Sequence, residues 1–257
     1  MDKVDRQREH FNNISEKYFG ARQSKNHLLL KNLIWSNFLL DKKHLFPARV
    51  KVLEPMCGSA EGYGILDKYL DIDIDYVGFD YSENMVAIAQ ELLPEAKIYW
   101  GDATKFNDPD GEYDLIILIG GLHHVYNEAE LVVSKLARSL KSGGFFINFE
   151  PTHNSAITRS IRERVYKKNS LFDDQTERGF DLVELNNIYL KSGLVIGDQV
   201  YAGMLSYILF YNPDAFPLLN VGGSNLVKFT FAIDRMLWRS EFSKKLSFAS
   251  ITFCQKI

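Results

Sequence analysis

The stretch Lys51–Gly64, KVLEPMCGSAEGYG, constrains this chain most: a β-branched, apolar run stops at an acid and turns through small residues. Val50–Leu53 reads as a buried parallel strand, and Glu54 marks its carboxyl end. Residues 55–60, with Cys57, Gly58 and Ser59, form a tight turn, and Gly62–Leu70 starts a helix. A strand that feeds such a turn at a helix N-terminus brings backbone N–H groups to a ligand at the carboxyl edge of a sheet.

Strand and helix signals then alternate. Tyr76–Phe79 is the second strand and ends at Asp80; Ser82 caps a helix that Pro94 stops. Lys97–Trp100 is a short third strand running into Gly101-Asp102-Ala103. Tyr113–Ile119, YDLIILI, is the most continuous apolar run and predicts a central strand buried on both faces. Gly120-Gly121-Leu122-His123-His124 follows. Asn127-x-x-Glu130 has the spacing of a capping box that opens a helix to Lys141, and Phe145–Phe149 is the fifth strand, followed by Glu150. This alternation argues for an α/β doubly wound parallel sheet, and 257 residues suffice for one large domain.

Before the core, residues 3–20 and a helix starting at Ser24 form an N-terminal helical unit, 1–47, that can pack or act as a lid. The core spans 48–151. In the remainder, 152–257, residues 155–178 are helix plus loop, and Asp181-x-x-Glu184 repeats the capping-box spacing. Leu194–Ile196 and Leu246–Phe253 are further strand candidates. Between them lies an apolar insertion, in which Met204–Tyr211 reads as strand or helix and Ser224 caps a helix apolar over most of its circumference. Core packing is the favoured reading of that helix, with a second chain (a homodimer) or a greasy ligand as alternatives.

Thirty lysines and arginines against 33 acids leave a net charge of −3, which gives no basic excess for a nucleic-acid partner. Two cysteines, one in the proposed ligand turn, favour a reduced, cytoplasmic chain. The first residues carry charges where a signal peptide needs an apolar core, and no uncharged apolar stretch reaches the ~20 residues of a membrane span.

Acids at three successive strand ends carry the chemistry. Glu54, Asp80 and Asp102 fall where the first three strands leave the sheet, so they face one crevice. An acid ending the second strand suits both hydroxyls of a ribose. The turn lacks the G-x-G-x-x-G that draws backbone up to a pyrophosphate. Asp102 suits the donating edge of an adenine, and Glu54 a cationic ligand. A nucleoside with a positive centre and no phosphate is S-adenosylmethionine.

With these residues in place, the chain resembles the class I S-adenosylmethionine-dependent methyltransferases, particularly those acting on small molecules. The matches are VLEPMCGSAEG, YVGFDYSENMVAIAQ, YWGDA, YDLIILIGGLHHV and LARSLKSGGFFINFEP, covering about residues 48–151. The resemblance implies a Rossmann-like sheet of about seven strands, mostly parallel with the last antiparallel, plus N-terminal helices and a helical insertion near the C-terminus. It implies that Asp80 holds the ribose diol, Tyr81 and Met85 flank the adenine, and Asp102 with the Ala103 backbone reads its edge. Gly58 and Ser59 would line the loop beneath the methionine moiety, Ile119 and Gly120 would meet its amino group, and Tyr18 would close over the cofactor. One departure stands out. The family's usual D-x-G-x-G-x-G appears as Glu54-x-Met56-x-Gly58-x-Ala60, which keeps only the middle glycine.

His123 and His124 follow the central strand into the same crevice. Methyl transfer from a sulfonium is an in-line displacement that gains mostly from positioning, and a hydroxyl acceptor also needs its proton removed. His123 is the favoured general base, with His124 its neighbour, and Glu150 and His153 are acceptor contacts. No metal site is expected, since adjacent histidines point apart and no ligand spacing recurs. The leading function is O-methylation of a small acceptor (a sugar, sugar nucleotide or natural product), with S-adenosylhomocysteine as co-product. The alternatives are a lipid or quinone-like acceptor at a membrane surface, suggested by the apolar insertion 203–238, and a non-catalytic S-adenosylmethionine-binding module. Acceptor specificity falls to residues 1–45 and 152–245.

Overall fold

The computed structural model describes residues 3–169, 177–213 and 215–257, side chains at 3, 4, 11 and 17 excepted. Helices α1 (Lys3–Arg22) and α2 (Lys25–Leu39) lead into β1 (Arg49–Pro55), α3 (Glu61–Leu70), β2 (Asp73–Asp80), α4 (Glu83–Leu92) and β3 (Lys97–Trp100). Then come β4 (Tyr113–Ile119), α5 (Ala129–Ser139), β5 (Leu140–Pro151), α6 (Ala156–Lys168), α7 (Leu182–Lys191) and β6 (Leu194–Val200). The chain finishes with α8 (Leu205–Phe210), α9 (Ser224–Leu237), α10 (Glu241–Leu246) and β7 (Ala249–Lys256).

The strands form one seven-stranded sheet in the order β3-β2-β1-β4-β5-β7-β6, parallel except for β7, which runs antiparallel to both its neighbours. The chain reverses its direction of travel across the sheet between β1 and β4. At such a switch point the loops leave a crevice at the strands' carboxyl ends. Alternation along β4 explains why it sits in the middle. Leu115 and Ile117 pack with α2, α3, α8 and α9 on one face, while Ile116 and Leu118 pack with α5 and α7 on the other.

Several sequence expectations change. The Asn127-x-x-Glu130 capping box does not form: Glu128 is the N-cap of α5, and no side chain caps it. A 3₁₀ turn over Leu122–Val125 precedes that start, and Glu128 N–H bonds the carbonyl of Val125. The helix also ends at Ser139, and Lys141 already belongs to β5. Asp181 caps α7 through the N–H of Val183, but Glu184 pairs with Arg178 instead of closing a box. The true box is Ser155 with Thr158 at the start of α6; the loop after α6 lies in part outside the described residues. Ser224 is the first residue of α9 and Gly223 its cap. Core packing holds for one face of α9, which buries Val227, Thr230, Phe231 and Asp234; Phe229 and Met236 are exposed.

Helix α1 lies against the N-terminus of α4. Asn12 accepts from the Ser82 hydroxyl (2.5 Å) and donates to Glu83 (2.9 Å), and the Tyr81 hydroxyl donates to Asp5 (2.9 Å). The β1–α3 turn takes a left-handed backbone at every second residue: Met56 (φ 51°), Gly58 (53°) and Ala60 (60°). Only glycine takes that conformation without steric cost. The turn is tied by Cys57 N–H to the Phe79 carbonyl and Ala60 N–H to the Cys57 carbonyl.

Candidate active site

A cavity of about 540 Å³ opens at the switch point. Its lining contains all twelve residues that the sequence assigned to the cofactor: Tyr18, Glu54, Cys57, Gly58, Ser59, Asp80, Tyr81, Met85, Asp102, Ala103, Ile119 and Gly120. His123 and His124 line it too, whereas Glu150 and His153 do not.

The strand-end acids also build the site around themselves. Asp80 accepts the N–H of Gly58 and of Ser82, each at 2.9 Å, so it braces the turn it faces across the crevice. Burial raises its pKa. Asp102 accepts both the N–H and the hydroxyl of Thr104 and caps a short 3₁₀ turn. Glu54 is the most enclosed. Its carboxylate takes the N–H groups of Gly62 and Tyr63 at the start of α3 and the hydroxyl of Tyr76 (2.7 Å), and burial lifts its pKa to about 8. Gly62 is required for this approach, since a Cβ there would sit 2.7 Å from the Glu54 carboxyl carbon.

Aromatic and apolar side chains line the cavity as well, among them Phe149, Tyr207, Ile208, Tyr211, Phe216 and Phe248. His123 lines the cavity two residues after Gly121. Its Nδ1 lies 2.9 Å from Glu150 Oε2. Glu150 is 1% exposed and comes off β5 behind the histidine, not into the acceptor space the sequence reading gave it. Its oxygens also accept the N–H of Leu122 (2.9 Å), the N–H of His123 (3.3 Å) and the Asn148 amide (3.1 Å). Asn148 is itself fixed, since it donates to the Leu118 carbonyl and accepts from the Tyr189 hydroxyl. The backbone and amide groups around Glu150 all donate, which favours the ionised acid; burial opposes this and raises its pKa. Burial keeps the His123 imidazole neutral by lowering its pKa. Facing an ionised Glu150, the neutral ring carries its proton on Nδ1, which leaves Nε2 with its lone pair.

His153 lies beside Gly179 and donates its backbone N–H to the Phe180 carbonyl. Sequence reasoning did not single out Arg162, Tyr166 and Glu177, which enter the cavity from α6 and the segment after it. The adjacent histidines do converge: the rings of His123 and His124 lie 3.9 Å apart, and His124 Nδ1 lies 3.7 Å from Glu177 Oε1. Ligand atoms of His123, His124 and Glu177 fall within 4.8 Å of one another, a spacing that could receive a metal ion. Against this, Nδ1 of His123 faces Glu150, and Glu177 accepts the Gln7 amide at 3.4 Å.

A family model described as "Methyltransferase domain" matches residues 53–148. The chain is similar to a "probable S-adenosylmethionine-dependent methyltransferase" of Mycolicibacterium smegmatis, with 27% identity over 161 residues, 60% of this chain and 61% of that protein. It is also similar to a demethylmenaquinone methyltransferase of Leptospira interrogans, with 29% identity over 151 residues, 56% of this chain and 59% of that one. The chain thus spans about three fifths of the length of these curated relatives. Among solved structures, Haemonchus contortus phosphoethanolamine N-methyltransferase 2 in complex with S-adenosyl-L-methionine superposes with a TM-score of 0.69 at 14% identity. That match covers 100% of this chain and 60% of the other, and it bears on the fold alone.

Proposed function

We propose that this chain, which belongs to the class I S-adenosylmethionine-dependent methyltransferases, methylates a hydroxyl on a small, largely apolar acceptor, a natural product or quinone-like molecule, with His123 as general base. S-adenosylmethionine is the cofactor, and the cavity suits it: acids at three strand ends line it together with Gly58 of the left-handed β1–α3 turn. Asp80 would hold the ribose diol, whose two O–H donors offset the burial of its carboxylate. Tyr81 and Met85 would enclose the base. Helix α1, tied to α4 through Asn12 and Asp5, would serve as a lid.

Bound S-adenosylmethionine supplies a sulfonium methyl that is open to in-line displacement. The protein's part is to exclude water, seat the acceptor among Phe149, Tyr207, Tyr211 and Phe248, and take one proton. That proton moves from the acceptor hydroxyl to Nε2 of His123 while Glu150 steadies Nδ1–H. The observation that carries this reading is the 2.9 Å contact from Glu150 to His123, a residue that lines the cavity together with Gly120 and Phe149. The aromatic lining favours an apolar ring system over a sugar, and a relative named demethylmenaquinone methyltransferase is in keeping with a quinone-like acceptor.

The test is methyl transfer from isotope-labelled S-adenosylmethionine into fractionated extract, repeated with His123→Ala. Label in the apolar small-molecule fraction is expected, with turnover falling ~10²–10⁴-fold in the variant at unchanged S-adenosylhomocysteine affinity. Label confined to sugars, or full turnover by His123→Ala when chemistry limits the rate, would refute the proposal.

A further inference from the structure

The cavity lining holds a buried cation with no counter-charge among the described residues. Arg162, on α6, is only 9% exposed and lines the same space as His123. Its Nη1 donates to the Tyr166 hydroxyl (3.0 Å), and its Nη2 to the carbonyls of Thr152 (3.0 Å) and Phe248. A guanidinium has five N–H donors. Nε–H is buried without a partner, and one Nη1 hydrogen also remains unused. No carboxylate among the described residues lies within ion-pairing distance. The other cavity arginines differ: Arg8 pairs with Glu83 at 3.8 Å, and Arg22 stands close enough to Glu61 to help keep that carboxylate ionised. The position is built for Arg162, because a Cβ at Gly179 would come within 2.6 Å of its Cδ.

Buried charges are normally paired, and an unpaired one is costly to hold. Arg162 lines the cavity, so the missing partner is expected to enter with the ligand. We propose that the acceptor carries a carboxylate on its apolar framework, bound by Arg162, and that this pairing turns the reacting hydroxyl toward His123. A carboxylate oxygen can take the unused Nη1 hydrogen in a charge-assisted hydrogen bond, and the aromatic surroundings strengthen the pair. The proposal rests on the acceptor-cavity reading above and names the substrate class within it.

The test is calorimetric titration of the full chain, loaded with S-adenosylhomocysteine, with hydroxynaphthoate and with naphthol. These probes share a ring system and hydroxyl and differ by the carboxylate. Wild type should prefer hydroxynaphthoate by roughly ten- to a hundredfold, the usual strength of a charge-assisted hydrogen bond. Arg162→Gln should erase the preference while leaving naphthol and S-adenosylhomocysteine affinities unchanged. Arg162→Lys should retain part of it, and carries the test if the glutamine variant fails to fold. Equal affinity for both probes in wild type, or a preference that survives Arg162→Gln, would overturn the proposal. Failure to bind S-adenosylhomocysteine would instead sink the methyltransferase reading, so the two failures are distinguishable.

Discussion

Glutamine in place of Glu150 changes one oxygen to an amide and should silence the base without disturbing the cavity. The amide must face donors on either side. On the Oε1 side stand the Leu122 N–H and an Asn148 amide locked by Leu118 and Tyr189. On the Oε2 side stand the His123 N–H, at the longer 3.3 Å, and His123 Nδ1. Only His123 can adapt, by moving its proton to Nε2, so the new amide should settle on that side. The cost to stability is one orphaned backbone N–H, about 1–3 kcal/mol. At roughly 2–4 °C per kcal/mol this lowers Tm by several degrees and leaves the protein folded. The cost to catalysis is larger, because Nε2–H cannot accept a proton: kcat should drop ~10²–10⁴-fold. Single-turnover methyl transfer measures this drop, with calorimetry of S-adenosylhomocysteine as the control. A folded, cofactor-binding Glu150→Gln with near-wild-type turnover would show that Glu150 does not set the tautomer.

Two more predictions concern the cofactor site and the pH response. Asp80→Ala should weaken S-adenosylmethionine binding by at least ~100-fold by calorimetry while circular dichroism shows a folded chain; tight binding would remove Asp80 from the ribose role. His27 is buried with Nδ1 against the Tyr211 carbonyl, and burial first, then Arg22, lowers its pKa from 6.5 to about 4. The unfolded chain therefore binds the extra proton between those values. Wild type should lose up to roughly 3 kcal/mol relative to His27→Gln as pH falls through that window, read from urea midpoints. A stability difference that is flat with pH would refute this.

The strands and the cavity floor were legible because they rest on short-range pattern. YDLIILI can only be buried on both faces, and acids at successive strand ends must share an edge. Glu150 was not legible in the same way. It too ends a strand, but its side chain turns to the amides of Leu122 and His123, a choice set by donors 27 and 28 residues away in sequence. Arg162 sits in a charged stretch where no periodicity separates a buried guanidinium from solvated ones. The aromatic lining draws on α8, whose stretch Met204–Tyr211 read as strand or helix alike, and on Phe216 in the loop after it.

The β1–α3 turn has a consequence for recognising relatives of this chain. Met56 and Ala60 follow the left-handed path at a cost of roughly 1–2 kcal/mol each, which the rest of the fold carries. Met56 packs on Gly121, where a side chain would collide with its Cβ at 2.8 Å. Room for a side chain in one loop thus depends on a glycine in the loop beside it. Searches that count glycines within the first loop alone will pass over such chains, whereas scoring the two facing loops together would retrieve them, since a ligand meets the backbone's course and not the letters that spell it.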